Sequence, residues 1–574
     1  MEQFVSLKEA LSPLKESSMA AIADATCKSF DKIKSYLHLE RNIELQLRQF
    51  LEQVKRSNSK KLFLVCGNVG DGKSHLLASI GISNPELYEN VILHNDATES
   101  SDPDESFIDE LNKLLNPFSD KNINNGNEKI IVAINLGTLN NFIASDINLN
   151  FKKLHNYVKE KKIFDVGSIV ECSFDNESPF QFVNFCDHNL FYLTASGPDS
   201  DLIENAISRV VNQNGPFYEA YKQQKLIGLE NCPICYNFEI LQMPEIRRRI
   251  SRLLIECIVM GEIIISIRAL YNFIYELIVP IDLEPLDNEA TVKRISQYSV
   301  TDFLENIIPN YIYSHPELSN IFEQINKHDP AIKRAEIIDD AIIELVVSDS
   351  PVRILNQYIQ SESMGESVLK ALAESSGTED YIKAFIRFSS FWPRSDRVLV
   401  QDETYDTFMG LMYTWYSGNS KALKTLYQLV QNAINSWKGQ AGQGKINVDI
   451  GKQQLEYRIS QSLDVKPEPP AAPVPGEGNI NEFNTFIPVR YRVNGNIISL
   501  AITYNLFQIF SKIKKGYRTT SLDHSNFIIF DEFVQKAENG CDQNNVFFTE
   551  SANKKQFSIE LDDFGDFCFN EVES

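Results

Sequence analysis

Leu62-Phe63-Leu64-Val65-Cys66-Gly67-Asn68-Val69-Gly70-Asp71-Gly72-Lys73-Ser74 decides the fold. Five apolar residues run into a full G-x-x-x-x-G-K-S motif, and His75-Leu76-Leu77-Ala78-Ser79-Ile80 leaves it with helical spacing. A buried strand, a glycine turn and a helix start are the context a phosphate-binding loop requires. Its glycines let backbone N–H groups turn inward around phosphates, and the helix N-terminus adds partial positive charge. In such a loop Lys73 reaches the β- and γ-phosphates and the Ser74 hydroxyl binds Mg²⁺. The expected nucleotide contacts are Gly67, Gly70, Asp71, Gly72, Lys73, Ser74 and His75, with ATP and Mg²⁺ as cofactors.

The motif opens a chain of 574 residues, 43% hydrophobic and 11% aromatic. That length suits roughly three to four domains with large cores. No run of ~18 uncharged apolar residues occurs; the nearest, Ile263 to Pro280, is interrupted by Arg268 and Glu276. Met1-Glu2-Gln3 does not begin a basic region followed by an apolar one. Nine scattered cysteines fit a reducing compartment better than a disulfide framework. A cytoplasmic protein without a membrane anchor is expected. The net charge of −23 argues against wrapping nucleic acid over a wide surface, since such surfaces are basic. It leaves room for small basic patches at Arg247-Arg248-Arg249 with Arg252, and at Lys512 to Arg518. An acidic nucleotide-binding chain is expected to work with protein partners, one of which supplies the basic surface.

Around the motif, β-like and helical stretches alternate from 61 to about 230. Val91-Ile92-Leu93 is the second strand, Ser106 to Leu115 a helix, Lys129 to Asn135 a third strand, and Ser168-Ile169-Val170 starts a fourth. Alternation of this kind implies a parallel sheet with helices on both faces. Residues 1–60 read as helical, with an amphipathic stretch from Arg41 to Val54. Residues 231–345 read as a helical, lid-like domain and 346–440 as a further helical domain. A β-rich C-terminal domain follows over 441–574. It holds a hairpin signal at Asn494-Gly495 and a Pro-rich linker over 466–478. The fold class expected is an α/β P-loop NTPase core, AAA+-like, with helical lid, helical domain and β-rich C-terminal domain.

Hydrolysis needs a carboxylate to orient Mg²⁺ and another to activate water. Three places compete. Asn95-Asp96-Ala97-Thr98-Glu99 follows the second strand, and Asp96 lies 23 residues beyond Lys73, about where recombinase-like ATPases place a catalytic acid. Asp96 and Glu99 are the candidate acids, Asp96 also as a Mg²⁺ ligand; an ordinary helix-capping loop is the competing account. Ile130 to Asn135 has the spacing of a Walker B strand, yet ends in Asn135 instead of Asp. An asparagine can orient water or sense the γ-phosphate, as a sensor-1 asparagine does in AAA+ proteins, or simply make a turn. Phe527-Ile528-Ile529-Phe530-Asp531-Glu532 also matches apolars followed by Asp-Glu, but lies far away in the tail and is taken as a decoy.

Ser266 to Phe273 resembles the lid helix of AAA+ proteins, where an R-x-L element supplies the sensor-2 arginine; Arg268 is that candidate, against the alternative of a surface arginine. Arg247, Arg248, Arg249 and Arg252 are candidate fingers for a neighbouring subunit, should the chain oligomerise. Cys232-Pro233-Ile234-Cys235 is a lone C-x-x-C, with Cys186 and His188 the nearest upstream ligand types. A structural Zn²⁺ needs four ligands, so buried thiols are the simpler account of Cys232 and Cys235.

Together, Leu62 to Leu76, His94-Asn95-Asp96-Ala97-Thr98-Glu99-Ser100 and Ala133-Ile134-Asn135-Leu136-Gly137-Thr138-Leu139 resemble segments of the DptF (DndF) family of bacterial DNA phosphorothioation-dependent restriction systems. The likeness extends to Cys232-Pro233-Ile234-Cys235 and Phe527 to Phe533. It implies a subunit acting with two partners, one a helicase-like ATPase, to restrict DNA that lacks the sulfur modification. Gly67, Gly72, Lys73 and Ser74 would bind the nucleotide, and contact with DNA would come mainly through the complex. The alternatives are a non-hydrolysing, nucleotide-stabilised scaffold and an unrelated AAA+ loader or defence ATPase.

Overall fold

Strand β1 (Lys61–Gly67) is buried at all seven positions, and the N-terminal core is built outward from it. The computed structural model describes residues 6–15, 32–67, 72–94, 107–145, 150–161, 163–164, 174–185, 188–229, 231–360, 364, 366–375, 379–394, 397–419, 423–439, 441, 444–448, 456–474, 478–540, 546–550, 555–561 and 566–572. Strands β2 (Ile92–His94), β3 (Lys129–Asn135) and β4 (Phe180–Asn184) join β1 in a parallel sheet of order β2-β3-β1-β4. Alternate residues of β1 serve opposite cores, as the two-residue strand period requires. Leu62, Leu64 and Cys66 pack with Ile130, Val132, Phe142 and Leu154, under helices α3 (Phe107–Leu115), α4 (Leu136–Ala144) and α5 (Lys152–Glu160). Phe63 and Val65 pack with Leu47, Phe50, Leu76 and Ile80, on helices α1 (Asn42–Arg56) and α2 (Lys73–Ser83). This is an α/β, Rossmann-like layer arrangement.

The expected strands at 91–93 and 129–135 and the helix ending at Leu115 are in place. The start expected at Ser168-Ile169-Val170 lies outside the described residues. The strand beside β1 is β4, entered through Lys61. This lysine is 1% exposed, and its Nζ donates to the carbonyls of Asp175, Asn176 and Ser178 at 3.0, 2.8 and 2.6 Å. Burial pushes its pKa down. Its neighbour Lys60 faces the other way. Lys60 donates to the Pro117 and Asn122 carbonyls at 2.9 and 3.2 Å and pairs with Glu128 at 2.9 Å. The loops leading into β4 and β3 are thus both fastened to the start of β1.

A helical region follows, including α6 (Asp201–Val210), α7 (Pro233–Ile240), α8 (Pro244–Gly261) and α9 (Ile267–Ile278), after the short strands β5 (His188–Thr194) and β6 (Gly197–Asp199). Among the described residues no helix is long and apolar enough to cross a membrane. The chain divides into two compact units, the first holding 1–192 and 198–401, the second 193–197 and 402–574. The helices at 403–416 and 423–437 fall in the second unit.

The second unit carries two antiparallel sheets. One has the order β12-β11-β9, from β9 (Val465–Pro467), β11 (Ile487–Val493) and β12 (Asn496–Ile502); β10 (Ile480–Glu482) lies between β9 and β11 in sequence. The other has the order β15-β14-β13-β8-β7, from β7 (Lys445–Asn447), β8 (Tyr457–Ser462), β13 (Val546–Glu550), β14 (Gln556–Leu561) and β15 (Phe567–Val572). The Asn494-Gly495 turn is as expected, with φ of 45° and 84° and Val493 opposite Asn496, the left-handed pair a two-residue hairpin needs. Two further parts of the tail take regular structure. The Pro-rich linker is not loop throughout, since its first residues, Lys466 and Pro467, form the edge strand β9, where proline's missing donor is tolerated. The Phe527 to Glu532 run is not a strand. It enters helix α12 (Ile528–Asn539), because Phe530, Phe533, Val534 and Ala537 repeat at helical spacing and are the residues buried. Helices α10 (Leu423–Trp437) and α11 (Tyr504–Lys514) accompany these antiparallel sheets in the second unit. Asp531, the decoy acid, has a structural role. Its Oδ1 accepts the Trp437 indole N–H at 2.6 Å and lies 2.8 Å from His524 Nδ1. Burial works to raise the Asp531 carboxyl, and these bonds outweigh it and hold it below the ordinary value.

Lys61→Met keeps the buried stem but removes three bonds to carbonyls, and should cost about 2–4 kcal/mol in urea unfolding followed by circular dichroism. An unchanged midpoint would contradict the anchoring role. Asp531→Ala strands the fully buried Trp437 donor, for a loss of roughly 1–3 kcal/mol. Because the folded carboxyl is depressed, its contribution is present at neutral pH and lost as pH falls through the folded value. The difference between wild type and variant should therefore hold at pH 7 and shrink below about pH 4; a difference independent of pH would show that the charge is immaterial.

Candidate functional site

The sheet is parallel, so the carboxyl ends of its strands share one edge, where open α/β sheets bind ligands. Gly67 ends β1 there. Asn68, Val69, Gly70 and Asp71 lie outside the described residues. Gly72 resumes the chain in the left-handed region, φ 81° and ψ 22°, as N-cap of α2. A Cβ at Gly72 would stand 3.3 Å from Nη2 of Arg41, so both conformation and space favour glycine. Lys73 and Ser74 form the first turn, each half-buried. The first intrahelical bond is Leu76 N–H to the Gly72 carbonyl at 2.9 Å. The N–H groups of Lys73, Ser74 and His75 precede it at the N-terminus of α2, the end of a helix that favours anions. The His75 side chain lies outside the described residues.

Arg41 is the contact that sequence reasoning missed. It precedes α1, and its guanidinium lies 5.4 Å from the centre of the Phe185 ring and against Gly72. One turn on, Glu44 is 1% exposed and bonds His38 at 2.9 Å and Arg48 at 2.7 Å. Burial would raise the Glu44 carboxyl, but the bonds from His38 and Arg48 prevail and keep it below the ordinary carboxylate range. Arg48 in turn bonds Asn84, the C-cap of α2. One helix thus places an arginine at each end of the P-loop helix. No local pattern announces Arg41; only the packing of α1 brings it there.

The strands flanking β1 both end in asparagine. Asn135 of β3 is in register with Gly67, and Asn184 of β4 with Cys66. Asn135 is also the N-cap of α4, its side-chain oxygen accepting the Thr138 N–H at 2.6 Å. That oxygen is therefore engaged in capping α4, a role the sequence reading of Asn135 as a sensor or a turn did not include. Asn184, 6% exposed, was missed because β4 itself was not located. Asp96 and Glu99, with the rest of the segment after β2, lie outside the described residues.

The arginines of the helical region have local duties. Arg247 donates to the carbonyls of Leu241 and Gln242 at 3.1 and 2.6 Å, and Arg248 to that of Pro244 at 3.4 Å. Arg249 and Arg252 lie 4.0 and 3.0 Å from Glu256. Arg268 is exposed on the first turn of α9. That helix is capped by Ser266 and held to the N-terminal segment by Tyr271, whose hydroxyl donates to the Leu37 carbonyl at 2.6 Å.

Cys232 and Cys235 sit at the start of α7, both buried. The Cys235 thiol and nearby backbone N–H groups favour the Cys232 thiolate and lower its pKa, while the same contact and burial raise that of Cys235. Among the described residues no three His, Cys, Asp or Glu gather to hold a metal. Cys186 and the His188 side chain lie outside them, so Zn²⁺ gains no support here. Sequence comparison finds no match to this chain among protein-family models or curated proteins.

Asn135→Ala should lower stability by about 1 kcal/mol, the usual cost of a lost N-cap, while Asn135→Asp keeps the cap and the stability. Thermal unfolding of the three proteins checks this. Equal loss in both variants would mean that Asn135 matters by something other than capping.

Proposed function

We propose that the chain is an ATP-binding, ATP-hydrolysing P-loop subunit with an AAA+-like core. The observation that carries this is the strand–glycine–helix unit itself: buried β1 ending at Gly67, the left-handed Gly72, and Lys73-Ser74 opening α2. With the nucleotide bound, Lys73 would neutralise the β- and γ-phosphates, Ser74 would hold Mg²⁺, and the first N–H groups of α2 would bond phosphate oxygens. Bound ATP supplies a phosphoanhydride to be cleaved. Arg41 adds positive charge beside the cradle. Asp96, two residues past the end of β2, is the candidate to complete the Mg²⁺ shell or polarise water, with Glu99 beside it. Arg268 is the candidate lid sensor.

The biological setting we infer is a phosphorothioation-dependent restriction complex acting on unmodified DNA, with a helicase-like partner. The support is the likeness of the Leu62–Leu76, His94–Ser100 and Ala133–Leu139 segments to the DptF family. The acidic balance of −23 fits a subunit that meets duplex DNA through partners. A second reading, a nucleotide-stabilised scaffold without turnover, is favoured by one observation: β3 ends in an asparagine whose oxygen caps α4, not in a carboxylate.

Two variants tested together separate these readings. Lys73→Ala should abolish binding of a fluorescent ATP analogue; equal affinity would overturn the P-loop assignment. Asp96→Asn should leave affinity unchanged and cut steady turnover by about 100-fold or more, the range for losing an acid–base group. Wild-type turnover in that variant would move the acid elsewhere, and absence of turnover in the wild type would establish the scaffold.

A further inference from the structure

The second unit contains a polar cavity of about 1430 Å³. Its walls come from the end of α10, strand β8, the turn after α11 and one side of α12. Several of its charges are neutralised in place. Lys438 pairs with Glu538 at 2.5 Å, and His524 with Asp531 at 2.8 Å. The Thr519 hydroxyl donates to the Trp437 carbonyl at 2.9 Å, and Asn447 donates to the carbonyls of Lys438 and Gly439 at 3.0 and 3.1 Å. These bonds make the wall a fixed one.

Two charges are left over. Arg458 and Arg518 line the same cavity and are exposed. Among the described residues neither has a carboxylate partner. Arg518 ends a basic run with Lys512, Lys514 and Lys515. The 40 residues from Phe483 to Leu522 hold six Lys or Arg and no Asp or Glu, in a chain of net charge −23. Between Lys515 and Arg518 stands Tyr517, 41% exposed. Its hydroxyl donates to Asp523 at 2.9 Å, which fixes the ring at the cavity.

Guanidinium groups match phosphate geometry, and an exposed aromatic ring stacks on any base. The cavity is larger than the usual small-molecule site of about 300–1,000 Å³ and has room for more than one nucleotide. A base-paired duplex keeps its bases stacked inside, so only an unpaired strand can offer one to Tyr517. We propose that this cavity binds a single strand of nucleic acid, with Arg458 and Arg518 on phosphates and Tyr517 stacked on a base. The site is independent of the P-loop and of the ATP reading.

The test is fluorescence anisotropy of the full chain with labelled oligo-dT and oligo-rU of about a dozen nucleotides, at about 0.1 M salt. The tighter of the two identifies DNA or RNA as the strand. Saturable binding is expected, with duplex DNA much weaker. Arg458→Glu with Arg518→Glu should weaken strand binding at least about tenfold and flatten its log–log salt dependence by about 1.4, two phosphate contacts' worth on a single strand. Lys73→Ala should bind the strand like wild type, so failure of the nucleotide reading and failure of this one are distinguishable. Both arginines are exposed, and an unchanged melting temperature verifies the fold of the double variant. Should that variant be unstable, photo-crosslinking of bromodeoxyuridine oligonucleotide to the wild type decides, with attachment expected at the peptide carrying Tyr517. No strand binding by the wild type, equal binding by a folded double variant, or crosslinks elsewhere would each overturn the proposal.

Discussion

Two adjacent lysines set the frame on which the N-terminal unit depends. Lys60 and Lys61 are 5% and 1% exposed, and a buried ammonium is tolerable only when surrounded by acceptors. Each finds them on a different loop: Lys60 on the chain before β3, Lys61 on the chain before β4. The central strand thereby gathers both of its neighbours before any apolar contact is counted. Hydrophobic burial then holds the register along β1, with alternate side chains in the two cores. The result at the far end of the strand is that Gly67, Asn135 and Asn184 come together at one edge of the sheet.

From that edge the start of α2 follows by local rules. Gly72 supplies a left-handed residue that lets the chain turn from loop to helix, and α2 begins with N–H groups lacking intrahelical acceptors. Helix α1 braces this arrangement from the outside. Phe50 stacks on Phe63 at 5.2 Å between ring centres. The Glu44–Arg48 pair reaches to Asn84, and Arg41 lies against Gly72. Such bracing positions charge before a ligand arrives, which is what preorganisation requires.

Much of this was legible because it is local. Strands β1, β2 and β3, the start of α2 and the Asn494-Gly495 hairpin are each announced by consecutive residues. Other parts depend on distant partners and were not. Phe180-Gln181-Phe182-Val183-Asn184 is five residues long and becomes a strand because Lys61 and β1 receive it. A lysine opening an apolar run reads as a boundary, yet Lys61 is among the most buried residues. Arg41 joins the site only through the packing of α1. The Phe527 to Glu532 segment satisfies a strand pattern over six residues and a helical one over eleven, and the longer period prevails. Asn135 carries the capacity for both chemistry and capping, and residue identity alone does not separate them.

We propose that the residues joining β1 to α2 hold the phosphates of ATP. Hydrogen–deuterium exchange of the full chain, with and without Mg²⁺-ATP, addresses it most directly, because bound phosphates should slow exchange at the amides that bond them. Protection is expected to concentrate in the peptide spanning Gly67 to Leu77. Unchanged exchange there under saturating Mg²⁺-ATP would contradict it.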